Sequence, residues 1–302
     1  MEIVDALLNR SEHATFRELE GIAADNGLRL FSKTRLSDVI AKGSTRLSQR
    51  EFDYYTRCHC DFVLTDAAFR PQMIVEYDGP LHADVVQQAR DRIKNHLCRS
   101  AGMGLLRIND RHVTKLYRGM TVLRWIIEVS GLSRVFDEAQ RAGHIPADEP
   151  FDPAFFITGS GGQRFPYWLS APATQSFHDF FATLGAGAEY GWSSFLGRDA
   201  DGTAYRLSCL YFDDRILWAR TAVRRQDLDF PHYDLLTEID TCELGLQLEK
   251  YRRGEIPGAS KDEFRQVFDR FCGCYDPYPT HWMGAFPFPG KWDLSNGWRT
   301  MA

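Results

Sequence analysis

Two β-rich runs separated by a short turn place the strongest constraint on the fold of this 302-residue chain. The first run, at 58–65, has the sequence CHCDFVLT, and the second, at 73–77, has the sequence MIVEY and stops at Asp78-Gly79-Pro80. β-Branched and aromatic residues favour strands, whereas Gly-Pro interrupts them. Because only the turn-forming segment 66–71 and Gln72 lie between the two runs, the pattern predicts an antiparallel hairpin.

Helical periodicity is present on both sides of this hairpin. Apolar residues recur at helical spacing over 11–26, where Ser11 is the predicted N-cap, and over 83–100, which ends at Ala101-Gly102. The predicted elements, in chain order, are a helix at 11–26, a short strand at 28–31, a helix at 36–41, the hairpin, a helix at 83–100, a buried strand at 103–108 and a helix at 114–129. This order predicts an α/β fold in which a mixed sheet is flanked by helices.

The length of the chain predicts two domains, because a single hydrophobic core rarely grows beyond ~250–300 residues. A polar, proline-containing stretch at 141–153, RAGHIPADEPFDP, is the best linker candidate. We therefore expect a first domain at 1–135, a linker at 136–153 and a second, α+β domain at 154–302. The second domain has three predicted elements, which are strands at 205–212 and 215–221 around the turn Asp213-Asp214 and a helix at 261–271.

Composition is that of a soluble globular protein, with 44% hydrophobic and 25% charged residues. The longest apolar runs fall well short of the ~20 residues that a membrane-spanning helix needs. The first residues lack the basic start and apolar core of a secretion signal. Seven cysteines, an odd number in a long chain, do not suggest a disulfide framework. We therefore expect a cytoplasmic protein with no membrane partner.

Three carboxylates are expected to meet at the hairpin. Residues i and i+2 of a strand face the same side of a sheet, so Glu76 and Asp78 project together. Asp61 lies opposite them on the preceding strand, and Glu12 on the first helix is a possible fourth acid. Like charges at close range raise each other's pKa unless a cation neutralises them. The predicted occupant is Mg²⁺, or Mn²⁺ in its place, which activates water and stabilises charge on a phosphodiester. For each of these acids taken alone, the alternative interpretation is a solvated residue at the end of a strand.

A local excess of positive charge follows the hairpin, although the net charge of the whole chain is −5. Residues 90–124 include nine basic side chains and two acidic ones. Because neutralisation of phosphates by Lys and Arg dominates nucleic-acid affinity, this stretch is the expected contact region for DNA. The candidate phosphate-binding residues are Arg90, Arg92, Arg107 and Arg111. The alternative is a solvated helix face whose arginine stems cover apolar surface.

Two pairs of cysteines suggest a different metal site. Cys58 and Cys60 are separated by one residue, as are Cys272 and Cys274. Structural zinc sites usually separate paired cysteines by about two to four residues. Burial in the core is therefore the favoured interpretation, with zinc as the alternative.

An ordered series of short motifs extends these patterns. It consists of Ser11-Glu12-x-x-x-Phe16-x-x-Leu19, Cys60-Asp61-Phe62-Val63-Leu64, Ile74-Val75-Glu76-Tyr77-Asp78-Gly79-x-x-His82, Arg90-Asp91-x-x-Lys94-x-x-x-Leu97 and Ala101-Gly102-x-x-Leu105-Leu106-Arg107-Ile108. In this series the sequence resembles the PD-(D/E)XK nuclease superfamily, and more narrowly its very-short-patch-repair-endonuclease-like branch. The resemblance implies a restriction-endonuclease-like fold for the first domain.

The resemblance also implies roles for individual residues. Asp61 and Glu76 would be the metal-binding acids, and Glu12 would be the acid of the first helix. His82 stands where relatives of the mismatch-repair type carry a histidine proposed to transfer protons. The alternative for His82 is a loop residue that forms hydrogen bonds.

One departure from the superfamily concerns its usual lysine, since this chain has Asp78 at that position. The branch tolerates the change, with Asp78 completing the metal shell or positioning water and Lys94 supplying the missing charge. The resemblance thus implies a Mg²⁺-dependent DNA endonuclease or nickase in repair, mobile-element maintenance or phage defence. Its C-terminal domain would select the substrate or bind a partner protein or a second copy. The alternative is a catalytically degenerate nuclease fold that binds nucleic acid or protein.

Overall fold

The computed structural model describes residues 6–79, 85–157 and 164–285. By its internal contacts the chain divides into two compact units. The N-terminal unit is Met1–Pro153 with Gln226–Pro231, and the C-terminal unit is Ala154–Arg225 with His232–Ala302. Within the described residues, each helix is too short or too polar to traverse a lipid bilayer.

A four-stranded sheet forms the centre of the N-terminal unit. Its strands are β1 (Arg29–Arg35), β2 (His59–Thr65), β3 (Pro71–Tyr77) and β4 (Gly104–Ile108). They lie side by side in the order β1-β2-β3-β4. β2 is antiparallel to both β1 and β3, which confirms the predicted hairpin, whereas β4 runs parallel to β3.

Helices precede, connect and follow these strands. They are α1 (Arg10–Asp25), α2 (Leu36–Val39), α3 (Gln49–Arg57), α4 (Val85–Ser100), α5 (Asp110–Thr114) and α6 (Val122–Arg141). A parallel pair of strands needs a crossover connection, and α4 provides it between β3 and β4. The predicted mixed sheet flanked by helices is therefore confirmed.

Buried apolar side chains fix the sheet against its helices. Val63, Ile74 and Leu105 come from three adjacent strands and pack in one cluster with Leu36 of α2 and Leu97 of α4. Full burial of such a side chain contributes ~1.5–3 kcal/mol relative to leaving it exposed. The sheet is consequently a rigid support for the polar side chains at its strand ends.

The start of α1 differs from the prediction, because Asn9 and not Ser11 is the N-cap. The N–H of Glu12 donates to Asn9 Oδ1 at 2.9 Å, and the N–H of Asn9 donates to Glu12 Oε2 at 3.0 Å. This reciprocal capping box satisfies two N–H groups that the helix itself leaves unpaired. The first strand is also longer than predicted, since β1 extends through residues 32–35.

The start of α6 differs for a local conformational reason. Arg118 and Gly119 have φ angles of 51° and 80°, and they form the turn between the short strands β5, Leu116–Tyr117, and β6, Met120–Thr121. Two consecutive residues with positive φ suit a tight hairpin and cannot belong to a right-handed helix. The helix predicted at 114–129 therefore begins only after this turn, and it continues past the predicted start of the linker at 136.

A segment from later in the chain completes the N-terminal unit. In Gln226–Pro231, the carbonyl of Asp227 accepts the N–H of Leu105 at 2.8 Å. The side chain of Gln226 accepts the N–H of Arg107 at 2.9 Å. Because β4 is an edge strand of its sheet, these contacts satisfy N–H groups that would otherwise lack protein partners.

The C-terminal unit contains a second sheet, in which all neighbouring strands are antiparallel. Its strands are β7 (Tyr190–Arg198), β8 (Ala204–Phe212), β9 (Arg215–Val223) and β10 (Tyr278–Gly284). They lie side by side in the order β10-β7-β8-β9. Its helices are α7, Ala171–Ala182, α8, His232–Arg252, and α9, Lys261–Tyr275. The α7 and α8 side chains pack on one face of the sheet and those of α9 on the other. The predicted hairpin around Asp213-Asp214 and the helix after residue 261 are confirmed.

Candidate active site

The hairpin of β2 and β3 brings Asp61 and Glu76 into contact. The ladder pairs Phe62 with Val75, and one step further the N–H of Asp61 donates to Glu76 Oε1 at 3.2 Å. The N–H of Tyr77 in turn donates to Asp61 Oδ2 at 3.0 Å. Each carboxylate is thus oriented by a backbone N–H group of the opposite strand.

Glu76 is buried and forms an ion pair with Lys94 of α4. The Lys94 Nζ lies 2.5 Å from Glu76 Oε2 and 3.0 Å from the carbonyl oxygen of His59, and the two side chains are only 5% and 9% exposed. Burial alone lowers the pKa of Lys94, but the Glu76 carboxylate, with smaller contributions from Cys58 and Tyr54, raises it above its usual value. Burial also raises the pKa of Glu76, which Lys94 opposes. Lys94 therefore compensates a carboxylate that water scarcely reaches.

Asp61 forms a second ion pair, with Lys33 of β1. The Lys33 Nζ lies 2.8 Å from Asp61 Oδ1 and 2.8 Å from Glu12 Oε1. The other oxygen of Glu12 caps α1, so this helix positions the acid. Burial by itself lowers the pKa of Lys33, but hydrogen bonds to Asp61 and Glu12 raise it above its usual value. Lys33 therefore connects the acid of the first helix to that of the sheet.

Lys33 is the residue of this site that the sequence did not indicate. Ser32 pairs with Phe62 and Thr34 with Cys60, so Lys33 stands opposite Asp61 in the sheet. Its φ angle of 51° is uncommon for a non-glycine residue, and it falls within the part of β1 that the predicted short strand did not reach.

Asp78 is held by Arg107 and departs from the predicted three-acid arrangement. The guanidinium of Arg107 lies 3.0 Å from Asp78 Oδ1 and 3.2 Å from Asp91 Oδ1, and it donates to Asn95 Oδ1 at 3.0 Å. Among the described residues, no three His, Cys, Asp or Glu side chains are grouped to hold a metal ion. Asp61 and Glu76 are the two predicted acids that a direct hydrogen bond joins, from the Asp61 N–H to the Glu76 carboxylate.

The predicted phosphate-binding arginines occupy two different environments. Arg90 and Arg92 on α4 and Arg111 on α5 are exposed. Arg107 is buried, with its side chain 4% exposed, because it pairs with the acids described above. A contact between Arg107 and phosphate stays a prediction. His82 lies outside the described residues.

The cysteines lie mainly in apolar surroundings. Cys60 is buried in the same cluster as Ile74, and Cys58 packs against that cluster. Burial raises the pKa of the Cys60 thiol. Cys272 packs against the core beneath α9, whereas Cys274 is exposed.

A separate group of polar side chains is buried in the C-terminal unit. Asp240 on α8 is fully buried, accepts a hydrogen bond from the Ser208 hydroxyl and lies 3.6 Å from Arg206 Nε. Burial raises the pKa of Asp240 to about 7, against the opposing effect of Arg206. Burial likewise raises the pKa of Glu238 to about 7, although Ser170 donates two hydrogen bonds to it.

This cluster predicts a pH dependence of stability. The pKa of Asp240 is about 7 in the folded protein, whereas the ordinary value for aspartate is 3.8, so the native state binds the proton more tightly. The resulting stabilisation is full below pH 3.8 and is lost as pH rises through about 7. The unfolding free energy of the wild type should therefore fall between pH 4 and pH 8. We expect this fall to be about 2–4 kcal/mol smaller in Asp240→Asn, which has no carboxyl group to titrate. Urea unfolding of the full chain at both pH values measures the change.

The control for this experiment is Asp214→Asn, because the Asp214 side chain is 92% exposed. This variant should keep the pH dependence of the wild type. An Asp240→Asn protein that also keeps it would contradict the assignment.

Comparison with known proteins gives one match. Residues 4–121 are similar to the family described as "Protein of unknown function (DUF2726)". This region contains α1 and the whole four-stranded sheet of the N-terminal unit. No curated protein and no solved structure matches the chain.

Proposed function

We propose that the N-terminal unit is a Mg²⁺-dependent DNA endonuclease or nickase with a restriction-endonuclease-like fold. The observation that carries the proposal is the contact between Asp61 and Glu76 across β2 and β3, with a lysine bound to each carboxylate. Two adjacent acids beside positive charge suit the hydrolysis of a phosphodiester. The short motifs that resemble nucleases fall on α1, β2, β3, α4 and β4, in that order along the chain.

The residues present fit a hard divalent cation. Asp61 and Glu76 supply only carboxylate oxygens, the ligand type that Mg²⁺ and Mn²⁺ prefer. Each of these oxygens accepts one donor from the protein, and a carboxylate oxygen has capacity for a second partner. Asp61 and Glu76 would hold the cation. When bound, the cation lowers the pKa of a water molecule and stabilises negative charge on the phosphate.

The remaining residues have supporting roles in this proposal. Lys94 is buried against Glu76, so it holds that carboxylate and does not contact the substrate. Arg107 holds Asp78 in the same way on the next strand. The exposed Arg90, Arg92 and Arg111 bind phosphates along the DNA. A proton-transfer role for His82 stays a prediction.

A second candidate function has its own support. Asp61, Glu76 and Asp78 each contact a cationic side chain of the same unit, namely Lys33, Lys94 and Arg107. Acids neutralised in this way do not require a metal ion for stability. The alternative is therefore a unit that binds nucleic acid and does not cleave it.

One experiment separates these candidates. Full-length protein is incubated with supercoiled plasmid and with single-stranded DNA in Mg²⁺, in Mn²⁺ and in EDTA, and binding to the same substrates is measured by fluorescence anisotropy. We expect cleavage of at least one substrate in the metal-containing reactions and none in EDTA. Binding without cleavage under every condition would favour the second candidate, and neither binding nor cleavage would contradict both.

A further inference from the structure

The position of Lys33 suggests how the free protein stabilises its acids. The ammonium group contacts Glu12 and Asp61 at equal distances of 2.8 Å, which places one positive charge between two carboxylates. The three side chains are 35%, 13% and 21% exposed for Lys33, Glu12 and Asp61. The ion pair of Lys33 and Asp61 is therefore close to solvent, whereas the ion pair of Lys94 and Glu76 is buried.

We propose that Lys33 and a divalent cation compete for the Asp61 carboxylate, an inference that rests on the proposed function. In the free protein the single ammonium forms ion pairs with both Glu12 and Asp61. When a divalent cation binds to Asp61 and Glu76, it repels the ammonium and removes it from Asp61 Oδ1. Lys33 thereby sets the cation affinity of the site.

The surroundings of the four carboxylate oxygens identify Lys33 as the group that moves. Asp61 Oδ2 and Glu76 Oε1 accept backbone N–H groups of the sheet, which are fixed by the strands. Glu76 Oε2 accepts from Lys94, which is buried and also bound to a backbone carbonyl. Asp61 Oδ1 is bound by Lys33, whose flexible side chain has solvent into which it can withdraw.

Cation affinity measured without DNA tests the proposal. Mn²⁺ is titrated calorimetrically into the full-length wild type and into Lys33→Met, Lys33→Arg and Arg35→Met. Loss of a unit charge a few ångströms from the cation should tighten Mn²⁺ binding by Lys33→Met about fivefold or more. Lys33→Arg retains the charge, and Arg35→Met removes an exposed charge two residues along the chain, so each should stay within about twofold of wild type.

A second measurement follows the displacement in the unaltered protein. Amine-reactive labelling with mass spectrometry compares Lys33 with the exposed Lys42 in EDTA and in Mn²⁺. We expect labelling of Lys33 to rise on Mn²⁺ addition while that of Lys42 stays constant. This readout does not depend on the folding of any variant.

The outcomes separate this inference from the proposed function. Unchanged or weaker Mn²⁺ binding by Lys33→Met, or constant labelling of Lys33, would overturn the competition while leaving the cation site intact. If the wild type binds no Mn²⁺, or if its Mn²⁺ affinity equals that of Asp61→Asn, the cation site of the proposed function is wrong. The inference about Lys33 then fails with it.

Discussion

Asp61→Asn is expected to reduce metal-dependent DNA cleavage by about 10³-fold or more, because bound metal contributes several kcal/mol to transition-state stabilisation. Asparagine retains the size of the side chain and an acceptor for the N–H of Tyr77, so the hairpin is preserved. The negative charge that would hold the cation is lost. Initial rates of plasmid nicking in Mg²⁺ measure the effect.

The matched control is Asp38→Asn, which removes an exposed acid from α2 in the same unit. Its rate should equal that of the wild type. If Asp61→Asn also cleaves at the wild-type rate, the chemistry does not occur at this pair of acids.

The second large effect is on stability, and it concerns Lys94→Met. Removal of Lys94 leaves Glu76 buried without its cationic partner, and breaking a buried ion pair in this way costs about 3–5 kcal/mol. Without Lys94, the pKa of Glu76 should rise further above its usual value. A raised carboxyl pKa stabilises the native state below the unfolded pKa, and this stabilisation is lost as pH increases through the folded pKa. The loss of unfolding free energy in Lys94→Met, relative to the wild type, should therefore be larger at pH 8 than at pH 5, as measured by urea unfolding.

The double variant Lys94→Met with Glu76→Leu tests the origin of this deficit. Replacement of both partners by apolar side chains of similar size is often neutral or stabilising. We expect the double variant to recover most of the unfolding free energy lost in the single one. A double variant that is less stable than Lys94→Met would show that the ion pair is not the cause.

The sequence predicted the framework of the N-terminal unit because its information is local. β-Branched runs, the Asp-Gly-Pro stop and the apolar stripe of α4 each specify an element from a few consecutive residues. The facing positions of Asp61 and Glu76 follow from hairpin geometry alone. These predictions need no knowledge of distant contacts.

The partners of the charged side chains depend instead on contacts between distant segments. Lys33 reaches Asp61 only through the register of β1 on β2, and its positive φ is not encoded by any glycine. Arg107 is predicted to contact phosphate because it belongs to a basic stretch. Its burial follows from acids on β3 and α4, whose positions only the assembled sheet defines.

The C-terminal unit shows the same limit. The hairpin of β8 and β9 was predictable because its strands are consecutive and separated by Asp213-Asp214. β10 pairs with β7, which lies far earlier in the chain, and this pairing has no local sequence pattern. The buried Asp240 likewise meets Ser208 and Arg206 only when α8 packs on the sheet.

The proposed binding of a divalent cation by Asp61 and Glu76 together is tested most directly by anomalous diffraction from Mn²⁺-soaked crystals. We predict an anomalous peak in contact with carboxylate oxygens of both residues in the wild type, and its loss in Asp61→Asn. A wild-type crystal with no peak at these two carboxylates, or with the same peak retained in Asp61→Asn, would contradict the account.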